Sequence, residues 1–318
     1  MNPLPRSAYS RREAIHAGLI ACLGAGFAGF ARFSLAANQI SELPLITKPI
    51  AATAQRLPAI GLGSDAFQNS ERDAIRAEIK RMYELGGTVI DTAAAYGDSE
   101  ALIGDALAEL GLRDRMFLAT KLTAGGFFGG EAGGEASFRR SLERLKTQRI
   151  DLLQVHNLSG VDTLMPMLQA WKKAGAIRYI GVTTSRVSQH DELVAAMRKY
   201  PLDFIQVDYS IANRDAAASV LPTALERHVA VLVNLPLARA ALIGQAAQRP
   251  LPDWAANIDV ASWGQFFLKY VISHPAVTCA IPGSTKVAHV EDNQLAARGR
   301  LPDAALRTKM EQFWDAPS

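Results

Sequence analysis

The amino-acid sequence predicts a (β/α)8 barrel, a closed parallel sheet wrapped by helices, and three observations carry that prediction. Short Val-, Ile- or Leu-rich runs bounded by Gly or polar residues alternate with segments of helical period eight times along the chain. Ionisable residues end several of these runs, so chemistry gathers on one rim of the sheet, where barrels place it. The rival architecture, an open doubly wound sheet, would carry a GxGxxG turn after a strand, and GLGSDAF (61–67) leads to no such fingerprint. With 318 residues and 49% hydrophobic content, the chain can bury one large core.

Each element follows from its pattern. Residues 45–60 (LITKPIAATAQRLPAI) read as a hairpin preceding the barrel, and the first barrel strand ends at Gly61-Leu62-Gly63. The first helix opens with a capping box, Ser70-Glu71-Arg72-Asp73, and sets Ile75, Ile79, Met82 and Tyr83 at helical spacing. Further strands fall at 88–91, 116–121, 150–155, 178–182, 203–208, 229–234 and 277–282. Helices lie near 99–110, then through Phe138, Leu142 and Leu145, and through Leu164, Leu168 and Trp171. Others fall near 189–199, 216–228, 260–273 and 286–297, and a last helix near 302–314 packs outside.

The first 37 residues form a separate unit in this reading, with residues 38–318 as the single barrel domain. Ser10-Arg11-Arg12 precedes the Gly/Ala-rich stretch 14–31, and SLAAN (34–38) supplies an Ala-x-Ala-like end. These are the parts of an export signal, and the paired arginines point to the twin-arginine machinery, which carries folded proteins, and to a periplasmic location. An extension of a cytoplasmic enzyme is the alternative, as is lipidation at Cys22 in Leu19-Ile20-Ala21-Cys22. Only Cys22 and Cys279 are present, so no disulfide framework is expected. A net charge of +3 and the absence of any Arg/Lys run of five give nucleic-acid binding little support.

Four residues carry the chemistry: Asp91 ends TVID, Tyr96 follows it, Lys121 ends MFLATK and His156 ends IDLLQVH. Singly, each has an ordinary explanation: a cap, a turn residue, a snorkelling lysine, a core histidine. Together they make an acid and its support. A free phenol has a pKa near 10, and a neighbouring ammonium held by a carboxylate is expected to lower it. A histidine within reach can orient a substrate oxygen or share its proton. The set contains no nucleophile with an adjacent base and no metal-ligand cluster, so no metal is expected.

DTAAAYGDSE (91–100), ATK (119–121) and QVH (154–156) resemble the catalytic motifs of the aldo-keto reductases. GVTTS (181–185), FIQVDYS (204–210), VLVNLPLAR (231–239) and IPGSTKVAHVEDN (281–293) resemble that family's later signatures in the same order, from about Leu57 to the C-terminus. The resemblance implies NADPH-dependent reduction of aldehyde or ketone carbonyls, with Tyr96 as general acid and a small-molecule substrate. It places Thr183, Thr184 and Gln206 at the nicotinamide carboxamide and adds Asn234, Pro236 and Leu237 to the coenzyme contacts. Arg239 would meet the pyrophosphate, Ser284, Lys286 and His289 would surround the 2′-phosphate, Asp292 and Asn293 would border the adenine, and Gly283 would be a further coenzyme contact. Three positions depart from the pattern: Asn234 stands where many members have Tyr, Gly283 where many have Lys, and His289 where many have Arg. Lys286 can compensate, and NADH stays open as coenzyme. Phe127 and Phe128, in the Gly-rich segment 124–136, either line the carbonyl pocket or pin a loop. A nucleotide-binding scaffold or redox sensor is the alternative function.

Overall fold

The computed structural model describes residues 39–50, 53–68, 70–123 and 130–317. The export-signal segment, Cys22, Phe127 and Phe128 lie outside the described residues. The chain divides into two compact units, residues 1–42 and 43–318, and the second contains the whole barrel.

An antiparallel hairpin, β1 (Thr47–Pro49) with β2 (Arg56–Pro58), comes first. The barrel strands are β3 (Leu62–Gly63), β4 (Val89–Asp91), β5 (Phe117–Leu122), β6 (Ile150–Val155), β7 (Ile177–Thr183), β8 (Phe204–Asp208), β9 (Ala230–Asn234) and β10 (Val277–Ala280). They pair in parallel in chain order, β3 through β10. Parallel bridges Ile60–Ala280 and Gly63–Gly283 close the sheet on itself. At that seam Gly61 N donates to Ala280 O at 2.8 Å and Gly63 N to Pro282 O at 3.1 Å. A Cβ on Gly63 would stand 2.7 Å from Ile281 O, so the closure needs glycine there.

Helices α1 (Arg72–Glu84), α2 (Ser99–Leu110), α3 (Gly130–Arg144), α4 (Val161–Lys173), α5 (His190–Lys199), α6 (Val220–Glu226), α7 (Ala241–Ala246), α8 (Trp263–Ile272) and α9 (Val287–Leu295) follow the strands, and α10 (Ala304–Asp315) ends the chain. Among the described residues, no helix is long and apolar enough to cross a membrane.

Three local expectations needed correction. The capping box does not form: Glu71 is the N-cap of α1 without a side-chain bond, and Ser70 Oγ donates to Ala66 O instead. The sixth helix is shorter than its apolar pattern, because Pro222 has no N–H and fits only the first turn. A single 3₁₀ turn, Asp215–Ala217, occupies the remaining length. The short helix α7 follows β9 where no helix was expected, since no apolar stripe of helical length marks it.

Period-two alternation along the strands builds the site. Val89, Phe117, Ala119, Leu152, Tyr179, Phe204, Ala230, Leu232 and Cys279 pack together inside the barrel, with Ile50 and Leu57 of the hairpin region in the same cluster. Their neighbours Ile90, Leu118, Leu153, Ile180, Ile205 and Val231 pack in the layer shared with the helices. Continuing two residues along the inward series of β4, β5, β6, β8 and β9 gives Asp91, Lys121, Gln154, Gln206 and Asn234, a polar layer on an apolar plug. Each large plug residue stabilises the fold by roughly 1.5–3 kcal/mol, and this apolar floor keeps water from beneath the polar layer.

Candidate active site

Asp91 and Lys121 are buried at the carboxyl ends of β4 and β5. Lys121 Nζ donates to Asp91 Oδ2 at 2.5 Å and to Thr92 O at 2.8 Å. Asp91 Oδ1 accepts from Gln206 Nε2 at 2.9 Å and from Gln154 Nε2 at 3.3 Å. The carboxylate is therefore held from three strands. An ion pair this deep is costly to desolvate and is a weak stabiliser of a fold, which points to a chemical reason for keeping it.

Tyr96 lies above this pair, with Lys121 Nζ 4.9 Å from its ring centroid. His156 meets the same ring edge-on, at 5.8 Å and 81°. The sequence expectation of a lowered phenol pKa is corrected here. Burial pushes the Tyr96 pKa up, the Lys121 ammonium offsets only part of the rise, and Asp91 and Asp65 add to it. The phenol therefore keeps its proton at neutral pH while a cation waits to stabilise its anion. For Lys121, burial works against the charge, but Asp91 and Tyr96 together outweigh it and hold the pKa above the ordinary value. Burial, helped by the Lys121 ammonium, depresses His156 to about 4, so its imidazole is neutral at physiological pH. Next to it, Asn157 and Leu158 both adopt left-handed backbone, at φ 53° and 55°. Non-glycine residues rarely take that conformation, and they cluster where function fixes geometry.

A cleft of about 760 Å³ opens over this floor, lined by Asp91, Tyr96, His156, Thr183 and Gln206 and running to Lys286, His289, Asp292 and Asn293. Asn234, Pro236, Leu237, Arg239, Gly283 and Ser284 also line it. Thr184 does not: its Oγ1 bonds Gln189 Oε1 at 2.6 Å and accepts from Arg186 N. Alternation explains this, because adjacent residues at a strand end face opposite sides, and Thr183 and Ser185 take the cleft side. Asn234 Nδ2 donates to Thr184 O at 3.1 Å and to Gln206 Oε1 at 3.4 Å. Its Oδ1 is buried with no hydrogen-bond partner among the described residues.

The far wall differs in character. Lys286 and His289 are exposed, and their side chains make no hydrogen bond among the described residues. Ser284 Oγ accepts from Lys286 N, shaping the turn before α9. Asp292 accepts from Ser262 Oγ at 2.7 Å and Gln265 Nε2 at 2.8 Å, and burial lifts its pKa. Arg239 pairs with Asp65 at 2.8 Å, linking the loops after β9 and β3. Leu235, Ala238, Arg239 and Ala240 all have positive φ, between 48° and 68°, and such backbone costs roughly 1–2 kcal/mol per residue. Gly283 sits beneath, where a Cβ would press to 3.2 Å from Asp65 Oδ1.

The model of the Aldo/keto reductase family matches residues 59–309, most of the chain. The chain belongs to that family. Among its relatives, the methylglyoxal reductase YeaE of Escherichia coli (strain K12) is 32% identical over 276 residues, covering 82% of this chain and 92% of YeaE. An aldo/keto reductase of Klebsiella pneumoniae, solved with NADP and acetate, superposes with TM-score 0.67 at 28% identity, over 83% of this chain and 93% of that one. The Bacillus halodurans aldo-keto reductase AKR11C1 shares the fold, with TM-score 0.71 at 23% identity over 86% of this chain and 98% of its own.

Within this aldo/keto reductase, several cleft residues went unforeseen: Ser64, Asp65, Ser185, Ile243, Ser262 and Trp263. Trp263 carries a core-helix pattern and Asp65 lies in a run matching no motif, so nothing in either marks a binding wall. Ser185 ends the GVTTS motif, and counting alternation from Thr183 would have found it.

Proposed function

We propose that the protein reduces aldehyde or ketone carbonyls with NADPH, with Tyr96 as general acid. The observation that carries this reading is a phenol kept protonated above a buried ammonium, at the floor of a cleft of about 760 Å³. The cleft suits the coenzyme on its own evidence. The unpartnered Asn234 Oδ1 is an acceptor suited to a carboxamide N–H, and the uncommitted Lys286 and His289 suit a phosphate. The Klebsiella structures hold NADP and NADPH.

When bound, the nicotinamide supplies a hydride to the carbonyl carbon. Tyr96 gives its proton to the carbonyl oxygen, and Lys121 stabilises the phenolate left behind, its own charge fixed by Asp91. The neutral imidazole of His156 hydrogen-bonds the same oxygen and orients it. Gln206, tied to Asp91, and Thr183, which accepts from Asn157 N at 3.2 Å, fix the nicotinamide end. Small aldehydes are the first substrates to try, since the Escherichia coli relative is named for methylglyoxal. Coenzyme oxidation against a panel of carbonyls tests the reading, with NADPH and NADH in parallel. No turnover with any carbonyl sinks it.

Export belongs to the same proposal, motivated by Arg11-Arg12, the Gly/Ala-rich stretch and the Ala-x-Ala-like end. Wild type is expected in the periplasm as a shorter chain beginning near Ala37 or Asn38, and Arg11→Lys with Arg12→Lys should trap the precursor inside. Cell fractionation with N-terminal sequencing decides it, and full-length protein found solely in the cytosol refutes export.

A further inference from the structure

We infer that Gln154 is a positioning residue for proton transfer: it fixes the Asp91 carboxylate so that Lys121 faces Tyr96, and it is kept for that role at a cost to the fold. The inference rests on the reductase reading above.

Three observations carry it. Gln154 is fully buried on β6, and the strand register sets it between Lys121 of β5 and Gly181 of β7. Its Nε2 donates to Asp91 Oδ1 at 3.3 Å, while its Oε1 is buried with no hydrogen-bond partner among the described residues. An unpaired buried acceptor destabilises a fold, and an apolar side chain of the same length would avoid that cost. The neighbouring strand also gives up a side chain beside it. A Cβ on Gly181 would stand 3.0 Å from Gln154 Cγ and 3.0 Å from Phe204 O. Gly181 lies in the regular ladder of β7 without a positive φ, so space and not backbone conformation calls for glycine there.

The geometry shows what the carboxamide does. Asp91 Oδ2 takes the Lys121 ammonium at 2.5 Å, and Oδ1 takes two carboxamides, Gln206 at 2.9 Å and Gln154 at 3.3 Å. Tethered at Oδ1 from β6 and β8, the carboxylate is held against rotation, and the ammonium on its other oxygen is held with it. Lys121 Nζ gives a second N–H to Thr92 O at 2.8 Å, which leaves the third for Tyr96. Gln206 lines the cleft and Gln154 does not, so Gln154 acts on Asp91 without meeting coenzyme or substrate.

The two amides also draw the negative charge of Asp91 toward Oδ1. Tyr96 is faced by Lys121, Asp91, Asp65 and the neutral His156; the two carboxylates oppose its ionisation and Lys121 favours it. Without Gln154 the charge on Asp91 bears more strongly on the phenol, which then gives up its proton less readily.

The test is Gln154→Met, which is of similar length, removes the donor and the unpaired acceptor together, and leaves Asp91 Oδ1 with Gln206. Urea unfolding should show equal or greater stability, with NADPH affinity within about twofold of wild type and single-turnover carbonyl reduction lower by about tenfold, the scale of one hydrogen bond to a charged group. The pH profile of alcohol oxidation, which needs the phenolate, should move to higher pH. Gln154→Glu keeps the shape, and repulsion from Asp91 makes its carboxyl hold a proton that it can donate to Oδ1. Its rate should recover at acid pH and fall as pH rises. A wild-type rate and pH profile in Gln154→Met overturn the inference and leave the reductase reading intact. A rate loss matched by lost stability or lost coenzyme affinity also overturns it, because that marks a purely structural residue. Wild type that reduces no carbonyl removes the reductase reading, and the inference with it.

Discussion

The two walls of the cleft are built on opposite principles. Around Asp91 and Lys121 every charge is buried and paired, and the carboxylate is held from β5, β6 and β8. Across the cleft, Lys286 and His289 lie exposed and uncommitted, Arg239 is 70% exposed, and the backbone between Ala238 and Ala240 is strained. The floor's polar groups are fixed by one another, which is what the proposed proton donor requires of its surroundings. The Lys286 side chain makes no hydrogen bond among the described residues, so on the proposed reading its contact with a phosphate forms only on binding. If the proposed function holds, chemistry and affinity are carried by different residues, and substitutions should separate them.

The largest effect is expected at the floor. Lys121→Met removes the cation that stabilises the Tyr96 anion, and carbonyl reduction should fall by roughly 10² or more while coenzyme still binds. Pre-steady-state reduction measured beside coenzyme affinity would show it, and an equal loss of both would erase the distinction between the walls. Asp91→Asn should also cost fold stability, about 3–5 kcal/mol in urea unfolding, because it strands a buried ammonium. A loss within 1 kcal/mol would mean that Lys121 finds another partner.

An intermediate effect belongs to the phosphate wall. Lys286→Ala should weaken NADPH about tenfold and leave NADH nearly unchanged, with kcat for saturated enzyme retained. Equal losses for both coenzymes would place the 2′-phosphate elsewhere.

The smallest effect lies outside the cleft and sharpens the contrast between paired and unpaired buried charge. Glu78 on α1 is buried, its Oε2 has no hydrogen-bond partner among the described residues, and desolvation lifts its pKa to about 7. The unfolded chain releases that proton near pH 4.5 and the folded chain near 7, so the folded state binds more protons in between and stability falls as pH rises through this window. Glu78→Gln should therefore raise Tm by about 2–4 °C at pH 8 and leave it unchanged below pH 4. Two histidines act with the opposite sign. His156 and His274 are held near 4 by burial, so their contribution falls as pH drops from about 6.5 to 4.

The floor was legible in the sequence because strands order it. Asp91, Lys121 and Gln206 sit at the ends of buried runs, and parallel pairing brings such ends together. The far wall was legible only through the resemblance, since its residues lie on loops whose paths follow from contacts rather than periodicity. The Arg239–Asp65 pair joins positions 174 apart in the chain, and no local pattern announces it. Thr184 was assigned to the cleft with Thr183 by motif, although alternation turns its hydroxyl to Gln189. The direction of the Tyr96 shift failed for another reason: a sequence shows that an ammonium is near, but the depth of burial that outweighs it belongs to the fold.

The separation of chemistry from affinity is tested most directly by Tyr96→Phe, which removes the phenolic proton and little else. Coenzyme affinity, by titration of protein fluorescence, and single-turnover carbonyl reduction should be measured on the same preparation. The expected result is an affinity within about twofold of wild type and a reduction rate lower by roughly 10² or more. An unimpaired rate, or a matching collapse of coenzyme binding, would contradict the assignment of Tyr96 as the acid on a preformed floor.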